Sequence, residues 1–246
     1  MTKPPGGVFP LHEDVLKEEA RAEYRQHMNT FFLRLAELNI NIYIVEQVLA
    51  FPYDLLAEGR TDDGFFFPLL MKNTFEACTL MVAKVATDQG SDVYTLPRLR
   101  NMLLQMVKPE HQPEIQARLG GLRFDQKTKE LLEKARKLRD THIAHFVHAT
   151  SQEEHMTLSE IKALRDELNT LLQDLSFEAE FIMLPHSYET HRSDVEWVLD
   201  SIAKGSDLLN MPEQDPACWQ YRRQKLTDIE LTQLNHYRKK FGLSEV

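Results

Sequence analysis

Between Leu138 and Phe146 the chain reads LRDTHIAHF, which brings Arg139, Asp140, His142 and His145 close together, with His148 just beyond. An imidazole changes charge near neutrality and suits proton transfer. A guanidinium presents a planar fork to carboxylates or phosphates. Three histidines also raise a metal site. Their three-residue steps set successive rings ~60° apart around a helix, so the outer pair is ~120° apart. No fourth ligand is apparent nearby, and no metal is expected.

Counted at ~100° per residue, Leu131, Leu132, Ala135 and Leu138 share one helix face. Arg139, His142, His145, Phe146 and Ala149 fall on or beside it, while Ala144 and His148 point away. Charged groups that continue an apolar stripe are costly to bury unless paired or facing a wet cleft. In the plainer reading, Arg139 pairs with a carboxylate and the histidines satisfy core hydrogen bonds. Arg139 and His145 also lie ~120° apart on an unbroken helix. Aiming both at one small ligand needs a helix break, long reach, or a second copy across a symmetric interface.

The elements that must position this stretch read as helices. Residues 1–10, with three prolines, form an arm. Leu11 to about Ala57 reads as two helices. FFFPLLMKNTFEACTLMVAKVATD is apolar on every face and predicts a central buried helix, with Pro68 tolerated in its first turn. Lys72 and Glu76 lie one turn apart on it and read as an ordinary pair. A shorter helix follows around PRLRNMLLQ, then a hairpin region punctuated by Pro113 and Gly120–Gly121. Asp125 reads as the N-cap of the motif helix, expected to run to about Ala149. Thr157 and Glu160 form a T-x-x-E capping box. Behind it Leu158, Ile161, Leu164, Leu168, Leu171, Leu172, Leu175 and Ile182 recur at helical steps, until Pro185. DVEWVLDSIAKGSDLL is a short amphipathic helix, NMPEQDPAC a loop, and Thr227 to Phe241 a last helix.

The composition agrees. The chain has 246 residues with only nine Gly and eleven Pro, and no alternating pattern long enough for a sheet. The expected fold is all-α: an arm over 1–10, an antiparallel helical bundle over 11–184 and a helical extension over 185–246. The two cysteines, Cys78 and Cys218, are too far apart in sequence to suggest a zinc pair or a disulfide framework. A reduced, cytoplasmic protein is the expectation, with no signal peptide and no membrane span. A net charge of −9 argues against a general nucleic-acid coat. Three short basic clusters, EKARKLR, YRRQK and HYRKK, still allow a local basic surface. YRRQK reads foremost as a solvated surface, with RNA contact the alternative.

LRDTHIAHF resembles the signature of the HEPN superfamily of helical nucleotide- and RNA-binding domains: an arginine, often followed by Asn or Asp, and a histidine commonly preceded by Ala. Here it is R-x(5)-H, with Arg139, Asp140, Ala144 and His145 in the matching places. The aromatic-led long helix, the loop, the shorter helix and then the motif helix look like the abortive-infection U-type group. The resemblance spans roughly Leu11 to Phe181.

It implies a homodimer in which two Arg-His sets line one cleft, and metal-independent endoribonuclease activity without a cofactor, in a phage-defence or toxin effector. His145 would be general acid or base, and Arg139 would bind the phosphate and stabilise developing charge. Asp140 would orient Arg139 or a histidine, and His142 is an extra histidine within the motif. Arg136 and Lys137, one turn earlier, are the expected RNA contacts. A defence-system partner or antitoxin is also implied. Thr141 departs from the lysine of many relatives. Val147 replaces the tyrosine that a nucleotidyltransferase modifies in some HEPN toxins, so that control is not expected. A catalytically silent HEPN-like binding module and a metal-dependent bundle enzyme are the rival readings.

Overall fold

A computed structural model describes residues 15–56, 66–87, 95–121, 124–140, 155–176 and 189–246. The fold is all-α, as the composition implies. Its only non-helical pairing among the described residues is an isolated antiparallel bridge between Leu16 and Val107. The helices are α1 (Arg21–Ala50), α2 (Tyr53–Leu56), α3 (Phe66–Thr87), α4 (Leu96–Met106), α5 (Gln112–Gly121), α6 (Gln126–Leu138), α7 (Leu158–Leu175), α8 (Glu189–Lys204), α9 (Asp207–Gln214), α10 (Pro216–Arg223) and α11 (Asp228–Lys240). No helix of the described residues is long and apolar enough to cross a membrane.

The chain divides into two compact units. One comprises residues 1–42 and 75–187, the other residues 43–74 and 188–246. Helices α1 and α3 contribute to both. In place of the two helices expected over Leu11–Ala57 there is one 30-residue helix and a single turn after Pro52. Arg21–Ala50 holds neither Gly nor Pro, so nothing in it interrupts the hydrogen-bond ladder.

In the first unit, α1 buries Tyr24, Met28, Phe31, Leu35, Leu38 and Ile42 at three- and four-residue steps. The same core takes Leu99 and Leu103 of α4, Leu132, Ala135 and Leu138 of α6, and Ile161, Leu164, Leu168 and Leu172 of α7. Ahead of α1, Val15 and Leu16 are buried against the same core. The backbone there is held by Lys17 N–H to the Met106 carbonyl (2.9 Å) and Lys108 N–H to the Val15 carbonyl (2.9 Å). Helix α7 ends at Leu175, before the expected stop at Pro185. Ser176 turns extended there, and the Tyr24 hydroxyl donates to the buried Leu175 carbonyl at 2.8 Å, one of those that the helix end leaves without a helical partner.

The second unit packs Val48, Phe51, Leu56 and Phe67 with Leu199, Ala203, Leu208, Leu209, Trp219 and Leu234. The expected NMPEQDPAC loop is mostly helix. Pro212 lies inside α9. Asp215 accepts from Cys218 N–H at 3.0 Å and starts α10 with Pro216 in its first position, where a missing N–H costs nothing. The last helix lies where expected, capped by a Thr227–Glu230 box.

Candidate functional site

Helix α6 begins as its sequence dictates. Asp125 accepts from Thr128 N–H at 2.7 Å, and that bond holds its carboxyl below the usual carboxylate range. Thr128, Leu132, Ala135 and Leu138 are buried, and Leu131 packs partly buried against the same core. The helix is tied to α7 by Lys134, whose Nζ lies 2.9 Å from both carboxylate oxygens of Glu160. Glu160 also closes the capping box, accepting from Thr157 N–H at 2.7 Å. Partial burial opposes its charge, but the Thr157 and Lys134 bonds prevail and leave its pKa lowered. The first turn of α7 and the third of α6 are thus locked by one carboxylate.

Arg139 follows the last α-helical residue. Its backbone N–H is shared between the Ala135 and Arg136 carbonyls, and Arg139 and Asp140 stand in a π-helical turn. A π turn closes i→i+5 rings and advances each residue through less rotation than an α-helix. Arg139 itself keeps helical angles (φ −56°, ψ −50°) and its i−4 bond, so the angular count on an α-helix holds as far as Arg139, where the π register begins. The Arg139 side chain is 18% exposed, and its Nε donates to Asp140 Oδ1 at 2.8 Å, with Asp140 50% exposed. A guanidinium at the rim of the core thus has a carboxylate beside it.

The other expected residues stand apart from this pair or beyond the described chain. Arg136 is exposed and paired with Glu133 at 3.1 Å, and Lys137 is exposed on the same turn. His142, Ala144, His145 and His148 lie outside the described residues. Lys72 is exposed and Glu76 half-buried on α3. Phe66 and Leu69 at the start of that helix are exposed, so its first turns are less buried than its all-apolar sequence suggests. Cys78 is buried, and desolvation pushes its thiol up to about 12, which leaves it inert at neutral pH. Among the described residues no group of His, Cys, Asp and Glu is arranged to hold a metal ion.

Three polar groups escaped the sequence reading. Asn39 interrupts the apolar face of α1. It accepts from Arg165 Nη1 at 2.9 Å, which ties α1 to α7. His27 is buried on the same helix, 3.8 Å from Glu23. Desolvation lowers its pKa, with Glu23 opposing and Arg98 adding to the effect. A polar residue in step with Phe31, Leu35, Leu38 and Ile42 is the signal that could have revealed both. Arg238 is fully buried, although HYRKK looks like a surface run. It donates to the Leu209 carbonyl, to the Ser244 carbonyl at 2.7 Å, and to Glu213.

Comparison with known proteins bears on the motif region. No curated protein and no solved structure matches the chain. One protein-family model, described as AbiU2 and of the HEPN type, matches residues 58–196. That is more than half of the chain, and it spans α3 to α7, including Arg139, Asp140 and His145. With an all-α fold and the R-x(5)-H motif at the end of α6, the chain belongs to the HEPN-type AbiU2 family of abortive-infection proteins.

Proposed function

We propose that this protein is a metal-independent endoribonuclease acting in phage defence or as a toxin, with a site shared between two copies of the chain. The observation that carries this reading is Arg139 in the R-x(5)-H motif, with a carboxylate at 2.8 Å where α6 leaves α-helical geometry. Irregular helical turns of this kind recur at functional sites. Asp140 on Nε would fix the plane of the guanidinium, which suits it to a phosphate. In the reaction, the ribose 2′-oxygen bonds to phosphorus as the P–O5′ bond breaks. His145 takes the 2′-hydroxyl proton or supplies one to the departing 5′-oxygen, and its counterpart in the second chain does the other. The product is a 2′,3′-cyclic phosphate and a 5′-hydroxyl. Arg139 carries the charge that develops on the phosphorane.

The test is cleavage of RNA in EDTA by the full chain and by its Arg139→Ala and His145→Ala variants. Cleavage that persists in chelator, leaves cyclic phosphate ends and falls at least 100-fold in both variants is expected, on the order of what a single acid–base or oxyanion group supplies. Activity that disappears with EDTA would exclude this mechanism. RNA binding without cleavage would instead favour a silent binding module. A monomer in solution would rule out the shared site.

A further inference from the structure

The three basic clusters of the sequence meet different fates in the structure. In EKARKLR, Lys134 is held by Glu160, Arg136 by Glu133 and Arg139 by Asp140. In HYRKK, Arg238 is buried on Glu213, and Lys240 reaches Asp200 at 2.7 Å. In YRRQK, Arg223 and Lys225 pair with no carboxylate among the described residues, and Lys225 Nζ instead sits 4.1 Å from the centroid of the Tyr221 ring. Tyr221 is 61% exposed, and every residue from 220 to 225 is exposed. The run from Pro216 to Lys225 holds Arg222, Arg223 and Lys225 and not one Asp or Glu. In a chain of net charge −9, this is a local cationic surface with a solvent-facing aromatic ring at its centre.

We infer that Tyr221, Arg223 and Lys225, at the end of α10, form a contact for single-stranded RNA outside the R-x(5)-H motif. The inference rests on the RNA-directed reading above and names a second place where the strand is held. Cations meet phosphates and release their counterions. An exposed aromatic ring offers a stacking platform to any base, whatever its identity. A single strand can present the face of a base, whereas in a duplex those faces are stacked on one another, so the ring selects strandedness. The α10 helix is short, capped by Asp215 and anchored by buried Trp219, so it holds Tyr221 and Arg223 on a fixed support, with Lys225 in the turn that follows, its N–H donating to the Arg222 carbonyl at 2.9 Å.

The experiment measures anisotropy of a fluorescein-labelled 2′-O-methyl oligouridine with the full chain. The methylated strand cannot be cleaved, so binding is read apart from catalysis. Binding by Tyr221→Ala/Arg223→Gln/Lys225→Gln should weaken on the order of tenfold. Its log affinity against log salt should lose about 1.4 in slope, ~0.7 for each cation removed. Tyr221→Phe, which keeps the ring, should bind as the parent does, and Tyr221→Ala alone, which keeps both cations, should weaken single-strand binding while leaving duplex binding as it was. A triple variant within twofold of the parent at unchanged slope would overturn the contact. So would a parent that does not bind, or displacement of the strand by polyglutamate as readily as by RNA. Cleavage of unmodified RNA, run beside it with Arg139→Ala, reports on the nuclease reading separately. Patch-dependent binding without Arg139-dependent cleavage would support the contact and sink the nuclease.

Discussion

Replacing Arg238 by methionine isolates the group on which the second unit turns. The guanidinium is 0% exposed and donates to two main-chain carbonyls, those of Leu209 and Ser244, and to the half-exposed carboxylate of Glu213. It thereby joins α9, α11 and the C-terminal tail, where Asn235 and Val246 exchange two further hydrogen bonds. Methionine fills much of the same space but donates nothing. Losing this donor costs the buried Leu209 carbonyl about 1–3 kcal/mol, whereas Ser244 is exposed and its carbonyl turns to water. Relief from burying the cation returns part of that. Glu213, 48% exposed, regains water and adds little. The net expectation is a loss of about 2 kcal/mol. Lys240→Met breaks the outlying pair with Asp200 and should cost less than about 1 kcal/mol. The assay is urea unfolding followed by tryptophan fluorescence. Both tryptophans, Trp197 and Trp219, belong to the second unit, so the signal reports it directly. An Arg238→Met midpoint matching that of Lys240→Met would refute the reasoning, because the buried Leu209 carbonyl would then need no donor from Arg238.

Two further predictions rest on local geometry. Glu160→Ala removes the Glu160 side-chain half of the α7 capping box and the Lys134 bonds together. It should cost about 1–2 kcal/mol in equilibrium unfolding, against less than about 1 for Lys134→Ala; equal costs would mean that the ion pair, not the cap, holds the α6–α7 junction. Burial lowers the pKa of His27 in the folded protein, so below about pH 6.5 the unfolded chain binds the proton first and stability falls with pH. That loss continues until the pH drops through the folded pKa. Between pH 7.5 and 5.5 the parent should therefore lose more melting temperature than His27→Phe does, and parallel pH curves would contradict a neutral buried imidazole.

Much of the frame was legible because the interactions that make it are local. The caps at Asp125, Thr157–Glu160 and Asp215 link residues three apart. Of these, the first two were read directly from side-chain type. The α6 stripe of Leu132, Ala135 and Leu138 follows from helical periodicity alone. Arg139 and Asp140 were legible as residue types, and so was the R-x(5)-H motif. The departure from α-helical geometry at Arg139 was not, because no Pro or Gly marks it and the carbonyls its N–H shares are ordinary. The loop expected at NMPEQDPAC failed for the opposite reason. Pro216 occupies a first helical position, where no N–H is needed, and α9 carries Pro212 in its interior at the loss of one ladder bond.

By itself, then, the sequence determined the helical class, the starts of α6 and α7 and the inward stripe of the motif helix. Each depends on chain neighbours within one or two turns. Tertiary structure alone decided that residues 43–74 share a core with residues 188–246. It also decided which cations of three similar basic clusters are buried (Arg238), which are ion-paired, and which stand open beside Tyr221, at Arg223 and Lys225. A cation's partner is set by whichever carboxylate or carbonyl folding carries to it. Arg238 finds Leu209, 29 residues away, and no spacing rule in a linear chain specifies such a meeting.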